Sequence, residues 1–122
     1  MSGATTVAFD HPDETRTFPH GRTDIVRIGN ATIAQLSLEP GWHWASDVKP
    51  IAGTERCQVH HVGYMVSGRL KVTMEDGTTQ EIGPGQAYVI APGHDAVVVG
   101  NDTVVGIEFS TPAAEIYAKP GS

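Results

Sequence analysis

The sequence predicts an all-β domain, and three observations support this prediction. Fourteen glycines and eight prolines are spread over 122 residues. No long segment repeats its apolar residues with the 3.6-residue period of an amphipathic helix. Short apolar stretches instead alternate with polar residues and end at Gly or Pro, as strands joined by tight turns do. A chain of this length is expected to form one domain with one core.

The N-terminal residues differ in character from the rest of the chain. Residues 10–23 are polar and are interrupted by Pro12 and Pro19, so we expect an N-terminal arm over 1–23 that runs as an extended or edge segment. The barrel domain is expected over 24–112. Its first clear strand starts at residue 32, where apolar and polar residues alternate, and ends before Pro40.

The second half of the barrel carries the clearest turn signals. Residues 69–75 alternate, and Asp76-Gly77 is expected to close a hairpin onto 78–82, because Gly accepts the positive φ of such turns. Further strands are predicted over 87–90 and 104–109. A short C-terminal tail over 113–122 is expected, with a short helix over 113–117.

Alternation also predicts which side chains form the core. Trp42 and Trp44 share one side of their segment, with His43 opposite. Seven residues in the predicted strands are expected to be largely buried: Leu36, Leu38, Leu70, Val72, Met74, Val89 and Phe109.

Charge and composition exclude several classes of partner. The net charge is -6 and the eight Lys and Arg residues are scattered, so no basic stripe favours nucleic acid or an anionic membrane. No window approaches the roughly 18 apolar residues of a spanning helix. Cys57 is the single cysteine and the N-terminus lacks a signal-peptide pattern, so a cytoplasmic location is expected.

A family resemblance lies in the segment that follows the Asp-Gly turn. The residues EIGPGQAYVIAPGH, together with YMVSG at 64–68 and the spacing from Gly85 to Pro92-Gly93, resemble the cupin family over about residues 32–110. The resemblance implies a single cupin-type jelly-roll barrel. More narrowly, the chain resembles small stand-alone cupins. This resemblance implies a homodimer formed through outer sheet faces and N-terminal strands.

The resemblance also implies a metal site with altered ligands. Counted back from Gly68, His61 takes the position of the family's Glu ligand. One register places Glu55 and Cys57 at the two preceding His positions, and the other places Thr54 and Arg56 there, which are poor ligands. Ala96 stands at the His position of the second motif. His94 is the nearest substitute, so the implied metal ligands are Glu55, Cys57, His61 and His94.

These donors suit one divalent transition metal, namely Zn(II), Fe(II), Ni(II) or Co(II), better than Mg(II) or Ca(II). Other interpretations remain open for each residue. Cys57 can be a buried small hydrophobe, and His61 a core histidine bonded to the backbone. His94 can complete a turn, with Asp95 fixing its tautomer. His60 has the opposite parity and is expected to face outward.

The predicted function follows from this site and from nearby aromatic residues. Trp44, Tyr64, Met65 and Tyr88 are candidates to line a ligand-binding mouth, or else belong to the core or a dimer interface. We therefore predict a small-molecule-binding cupin. The alternative is a metal-dependent cupin enzyme, an oxygenase or an isomerase/lyase. A purely structural module is less favoured, because a polar interior costs stability unless its groups are satisfied.

Overall fold

In the part of the chain that the structure describes, the fold consists of nine strands and two short helical turns. The structure is a computed structural model and describes residues 3–110, with the backbone alone at residue 110. In chain order the elements are β1 (Glu14–Phe18), β2 (Gly21–Ile28), β3 (Ala31–Leu38), α1 (Trp44–Asp47), α2 (Lys49–Ala52), β4 (His61–Ser67), β5 (Leu70–Met74), β6 (Thr79–Ile82), β7 (Ala87–Ile90), β8 (His94–Val98) and β9 (Val104–Ser110).

The strands form two antiparallel sheets. One has six strands in the order β1-β2-β3-β9-β4-β7, and the other has three in the order β6-β5-β8. Strand β9 lies between β3 and β4, so strands distant in the chain are neighbours in the sheet. Residues of both sheets share one apolar core. The prediction of an all-β jelly-roll fold is confirmed.

The N-terminal part of the chain contributes to the larger sheet. Strand β1 pairs with β2 from Glu14 opposite Ile25 to Phe18 opposite Gly21. The predicted boundary between arm and barrel, at residues 23 and 24, therefore lies inside β2, and the sheet begins ten residues earlier, at Glu14. His20, with φ of 63°, makes the tight turn between the two strands. The predicted C-terminal helix lies outside the described residues.

The predicted hairpin and the strand after it are present. Strand β5 pairs with β6, with Leu70 opposite Ile82 and Thr73 opposite Thr79. Gly77 has φ of 89°, the left-handed conformation that the Asp-Gly turn requires. Strand β7 occupies the predicted residues and pairs with β4. Within the predicted core, Leu38, Leu70 and Val72 are buried, while Leu36 and Met74 are half-buried.

Two of the predicted core residues are wrong for the single chain. Val89 is 66% exposed and Phe109 is 52% exposed. On β7 the inward position belongs to Ile90, which is buried, and on β9 it belongs to Glu108, whose carboxylate contacts buried His61. Because side chains alternate between the two faces of a strand, the residue next to each inward position must face outward.

Residues 42–52 pass across one end of the core in two single helical turns. Trp42 and Trp44 are both buried, as their shared side predicts, and Val48 is completely buried between α1 and α2. Gly53, with φ of 75°, ends the segment. Across residues 3–110, none of the helices has the length and hydropathy needed to cross a membrane.

Candidate metal centre

Three side chains with metal-binding atoms meet inside the barrel. One ligand atom from each of Cys57, His61 and His94 lies within 4.8 Å of the other two. All three residues are buried, and Cys57 Sγ lies 3.7 Å from His61 Nε2. The two imidazole rings meet edge to face, with their centroids 5.1 Å apart. The cluster therefore has the composition and spacing of a metal site.

Each residue of the cluster is held by a different part of the fold. His61 starts β4 of the larger sheet, and His94 starts β8 of the smaller sheet. Cys57 lies outside both sheets but forms an isolated β-bridge with His94, in which its amide donates to the His94 carbonyl at 2.8 Å. The site therefore sits where the two sheets come together.

Both histidines are oriented through their Nδ1 atoms. His61 Nδ1 lies 2.7 Å from Glu108 Oε1, and His94 Nδ1 lies 2.7 Å from the carbonyl oxygen of Ala91. A carbonyl or an ionised carboxylate only accepts, so each Nδ1 carries the hydrogen. Metal-ligating histidines are usually held in this way, because the arrangement leaves Nε2 available to the metal.

The pKa values of Cys57 and His61 are both shifted by their buried neighbours. Burial alone would raise the pKa of the Cys57 thiol, but the hydrogen bonds with His61 and His94 outweigh it and lower the pKa to about 6. Burial would likewise lower the pKa of His61, but the Glu108 charge and Cys57 raise it to about 10. Without a metal, the pair is therefore a thiolate beside an imidazolium near neutral pH.

Glu108 is held from two sides. Its Oε1 accepts from His61, and its Oε2 accepts from the Tyr88 hydroxyl at 2.7 Å. Burial would raise the pKa of Glu108, but the His61 charge and these two hydrogen bonds hold it below its ordinary value. Burial and the neighbouring carboxylate raise the pKa of Tyr88, so its phenol stays protonated and donates.

Two glycines make room for the Tyr88 ring. A Cβ atom added at Gly63 would meet Tyr88 Oη at 2.8 Å and the Ile107 carbonyl oxygen at 2.5 Å. A Cβ atom at Gly106 would lie 3.0 Å from the same hydroxyl. Tyr88 reaches Glu108 across β4 and β9 only because both positions lack a side chain.

A small cavity adjoins the cluster. Its volume is about 30 Å³, room for two or three water molecules at most. Its polar or donor-bearing lining residues are Trp42, Trp44, Cys57, His61, His94 and Glu108.

Glu55 does not join the other predicted ligands. Its side chain is 90% exposed, and its Oε2 lies 2.8 Å from Lys49 Nζ. Glu55 and Cys57 would face the same side if they lay in one strand, but residues 54–56 follow α2 as bends outside any strand. Strand alternation therefore does not apply to Glu55. His60 is exposed, as its parity predicts.

Asp95 does not fix the tautomer of His94. Its Oδ2 lies 2.7 Å from His43 Nε2, and the two side chains are partly exposed. Asp95 follows His94 directly in β8, so the two side chains point to opposite faces of the sheet. The hydrogen-bond partner of His94 Nδ1 is the carbonyl oxygen of Ala91.

The four predicted ligand-binding residues lie in different places. Trp44 lines the cavity, and Tyr88 reaches the site through Glu108. Met65 is buried in the core, but Tyr64 is 44% exposed. In β4 the inward positions are 61, 63 and 65, so Tyr64 faces away from the cavity.

Sequence reasoning missed Glu108, although a signal for it existed. In β9 the buried residues Val104 and Gly106 define the inward parity, and Glu108 has the same parity. A carboxylate at an inward strand position costs stability unless it is paired. Its presence there therefore indicates a partner such as His61.

Comparisons with known proteins identify the fold. No protein-family model matches the chain, and no curated protein sequence matches it. A cupin-like protein of Thermotoga maritima shares 15% identity, with 77% of this chain and 71% of that chain covered and a TM-score of 0.53. An oxalate decarboxylase of Lactobacillus farciminis shares 16% identity, with 91% and 35% covered and a TM-score of 0.60.

A third solved structure is similar over nearly the whole chain. It is a protein with a double-stranded β-helix domain from Klebsiella pneumoniae, with 15% identity, coverage of 88% and 84%, and a TM-score of 0.55. These likenesses, together with the two facing sheets, show that the chain forms a small cupin-type domain.

Proposed function

We propose that this cupin binds one divalent transition metal through Cys57, His61 and His94, and binds a small molecule beside it. The observation that carries the proposal is the joint orientation of the two imidazoles. Both Nδ1 atoms are held by acceptors at 2.7 Å, which leaves both Nε2 atoms as possible ligand atoms near the Cys57 thiolate.

The spacing of the Cys57 and His61 ligand atoms fits a tetrahedral ion. Bonds of about 2.3 Å to sulfur and about 2.0 Å to nitrogen, at a tetrahedral angle, separate the two ligand atoms by roughly 3.5 Å. Cys57 Sγ and His61 Nε2 are 3.7 Å apart. One thiolate and two imidazoles favour Zn(II), Fe(II), Co(II) or Ni(II). Three protein ligands also leave a coordination position open for a small molecule.

The alternative proposal is a metal-dependent enzyme. One of the similar structures is an oxalate decarboxylase, and a divalent ion with an open position supplies Lewis-acid polarisation of a bound oxygen atom. In this chain Glu108 would hold the His61 tautomer, and Tyr88 would hold Glu108. The cavity of about 30 Å³ is where the reacting atoms of a substrate would lie, beside Cys57, His61 and His94.

Metal analysis tests the proposal directly. The protein is purified without a metal-affinity step, and metal content is measured before and after loading with Zn(II) or Co(II). We expect one ion per chain and a thiolate-to-cobalt charge-transfer band that disappears in Cys57→Ser. Glu55→Gln is the matched control and should keep both, because Glu55 is exposed and bound to Lys49. Binding by Cys57→Ser at native affinity would refute the ligand assignment.

We also propose a homodimer through the outer face of the larger sheet. Three outward residues of β4 and one each of β7 and β9 expose apolar surface there: Val62, Tyr64, Val66, Val89 and Phe109. Val62 pairs with Val89 across β4 and β7, so the surface is continuous. Val89→Lys should give a monomer by light scattering, whereas Ile51→Lys, on α2 and 54% exposed, should not. A dimer that persists in Val89→Lys would contradict this face.

The cytoplasm remains the proposed location. Cys57 is free and buried, and a thiolate ligand needs the reduced state that the cytoplasm maintains. Fractionation of cells that produce the full-length protein tests this assignment.

A further inference from the structure

Residues 44–56, here called the crossing segment, pass over one end of the barrel without joining either sheet. The segment begins after His43, which bridges to Val97, and ends before Cys57, which bridges to His94. Both partners lie in β8, so the chain leaves one strand and returns to it. Among the described residues, the backbone–backbone hydrogen bonds of the segment all end within residues 43–53. Between its two bridges, the crossing segment is therefore held to the barrel by side chains.

The crossing segment supplies one wall of the cavity at the metal cluster, through Trp44. The other lining residues lie in strands or are bonded to one. Trp42 accepts from the Val98 amide at 3.0 Å, and Cys57 donates to the His94 carbonyl at 2.8 Å. Two helical turns of four residues each are too short to be stable alone. This wall can therefore move without breaking a sheet.

The cluster is closed off while the crossing segment is in place. Cys57 and His94 are each 2% exposed, and Trp44 and Val48 pack the segment onto the core at 2% and 0% exposure. The adjoining cavity holds about 30 Å³, which is less than a metal ion with its shell of water occupies. Part of the wall must open before an ion reaches the cluster.

A polar contact links the middle of the crossing segment to the larger sheet. Asp47 Oδ2 lies 3.1 Å from His20 Nδ1 and also accepts from the His43 amide at 3.1 Å. Because the carboxylate accepts, the His20 nitrogen donates. The Asp47 side chain is 8% exposed, and that of His20 is 51% exposed. The His20 carbonyl accepts from the Glu39 amide at 2.8 Å, which fixes His20 in the turn between β1 and β2.

We propose that the crossing segment is a lid on the metal cluster, held closed by the contact between Asp47 and His20. Local unfolding of its two helical turns moves Trp44 off the cavity and lets an ion or small molecule reach the cluster. The gating of metal rests on the proposed metal site, whereas the movement of the lid does not. Because His20 is not a metal ligand, the lid sets the rates of binding and release and leaves the equilibrium affinity unchanged.

Labelling of Cys57 tests the movement without any metal. Cys57 is the single cysteine of the chain and is buried, so its reaction with a bulky thiol reagent reports opening of the metal-free, full-length protein. At low denaturant we expect labelling faster than global unfolding allows. Its rate should depend little on denaturant concentration, because a local opening exposes little surface. A rate that follows global unfolding at every denaturant concentration would refute the lid.

Substitutions at residue 20 test the contact that holds the lid. His20→Gly removes the side chain and accepts the φ of 63° in this turn, so labelling should be about threefold to tenfold faster. His20→Asn also tolerates positive φ and places an amide nitrogen near the position of Nδ1, so labelling should return toward the native rate. Labelling of His20→Gly at the native rate would refute the role of this contact.

Arg22→Ala is the matched control for the loss of a partner from a buried carboxylate. Arg22 is 58% exposed, and its guanidinium lies 2.9 Å from the buried Asp24 carboxylate within the larger sheet. Its removal should leave labelling at low denaturant unchanged, because the contact lies outside the crossing segment. Acceleration equal to that of His20→Gly would assign the effect to general destabilisation and overturn the inference. Thermal unfolding of each variant confirms that it folds.

Metal release separates the lid from the proposed metal site. When Zn(II)-loaded His20→Gly is mixed with excess chelator, it should release the ion about threefold to tenfold faster than the native protein. Its equilibrium affinity should stay within about twofold of the native value. If Zn(II) does not bind the native protein, the metal proposal fails and labelling alone decides whether the lid opens. If Zn(II) binds but its release is not accelerated, the crossing segment is not the route of the ion and the inference is refuted.

Discussion

Among the described residues, two histidine–carboxylate pairs have the same spacing and different surroundings. His61 and Glu108 are 2.7 Å apart, as are His43 and Asp95. The side chains of the first pair are 7% and 16% exposed, and those of the second pair are 43% and 25% exposed. The distance within a pair therefore does not distinguish a candidate site from an ordinary surface contact.

The two pairs differ in their burial and in the group that contacts the second ring nitrogen of the histidine. On its other nitrogen, His61 faces Cys57 Sγ at 3.7 Å inside the cavity. His43 instead precedes α1 and forms an isolated bridge with Val97 of β8. The contact between His43 and Asp95 therefore connects the start of α1 to the smaller sheet. An imidazole that is oriented by a carboxylate can act in metal binding or catalysis when its second nitrogen contacts another reactive group in a buried environment.

The largest expected contrast is loss of metal binding when the inner histidine is removed. Losing an outer partner of a metal ligand typically costs about 10- to 100-fold in affinity, so losing a ligand in His61→Ala should cost on the order of 100-fold or more. His43→Ala and His60→Ala should bind Zn(II) within about twofold of the native protein, as measured by competition with a chelator. Equal losses in all three variants would mean that the cluster is not the metal site.

The carboxylates should show the same contrast with a smaller effect. Glu108→Gln keeps the size of the side chain but removes the charge that orients His61, so Zn(II) affinity should fall about 10- to 100-fold. Asp95→Asn, the equivalent change in the outer pair, should leave Zn(II) affinity unchanged. Chelator competition again measures both variants, and an unaltered affinity in Glu108→Gln would remove Glu108 from the site.

The inner pair also predicts the titration of the metal-free protein. Because the pKa of Cys57 is lowered to about 6, the thiolate persists until the pH falls to that value, and its ultraviolet absorbance is lost below it. In His61→Ala the imidazolium and its hydrogen bond are gone and burial is opposed only by His94, so the pKa of the thiol should rise toward about 8.5, its ordinary value. His43→Ala should keep the native midpoint. A native midpoint near the ordinary thiol value would contradict the thiolate–imidazolium pair.

The smallest effect is expected from the outer pair. Asp95→Asn weakens a partly exposed contact that solvent screens, so the free energy of unfolding should fall by less than about 1 kcal/mol. Denaturant unfolding of the metal-free protein measures this change. A larger loss would show that the contact between α1 and β8 holds more of the fold together than its exposure indicates.

The sequence predicts the strands better than the site. The hairpin of β5 and β6 is predictable because alternation and the Asp-Gly turn specify it locally. The predicted core residues Val89 and Phe109 are exposed, because their strands have the opposite parity and turn Ile90 and Glu108 inward instead.

The site depends on contacts between distant segments. Cys57 meets His94 through a single bridge, and Glu108 meets His61 only because β9 lies beside β4. The motif register predicts Cys57 and His61, and His94 is the nearest substitute for the His of the second motif. The same register also adds Glu55. Only the backbone path after α2 reveals that Glu55 leaves the barrel.

Cys57 and His61 lie close together in the chain. This closeness affects how much a bound ion would stabilise the folded state. These two residues can capture an ion before the sheets form, since only residues 58–60 separate them. His94 joins only when β8 faces β4, and this closes the long loop of residues 62–93. The unfolded chain would thus retain part of the affinity. The ion would therefore stabilise the native state only by the extra binding free energy that His94 contributes. This stabilisation is smaller than the total free energy of metal binding.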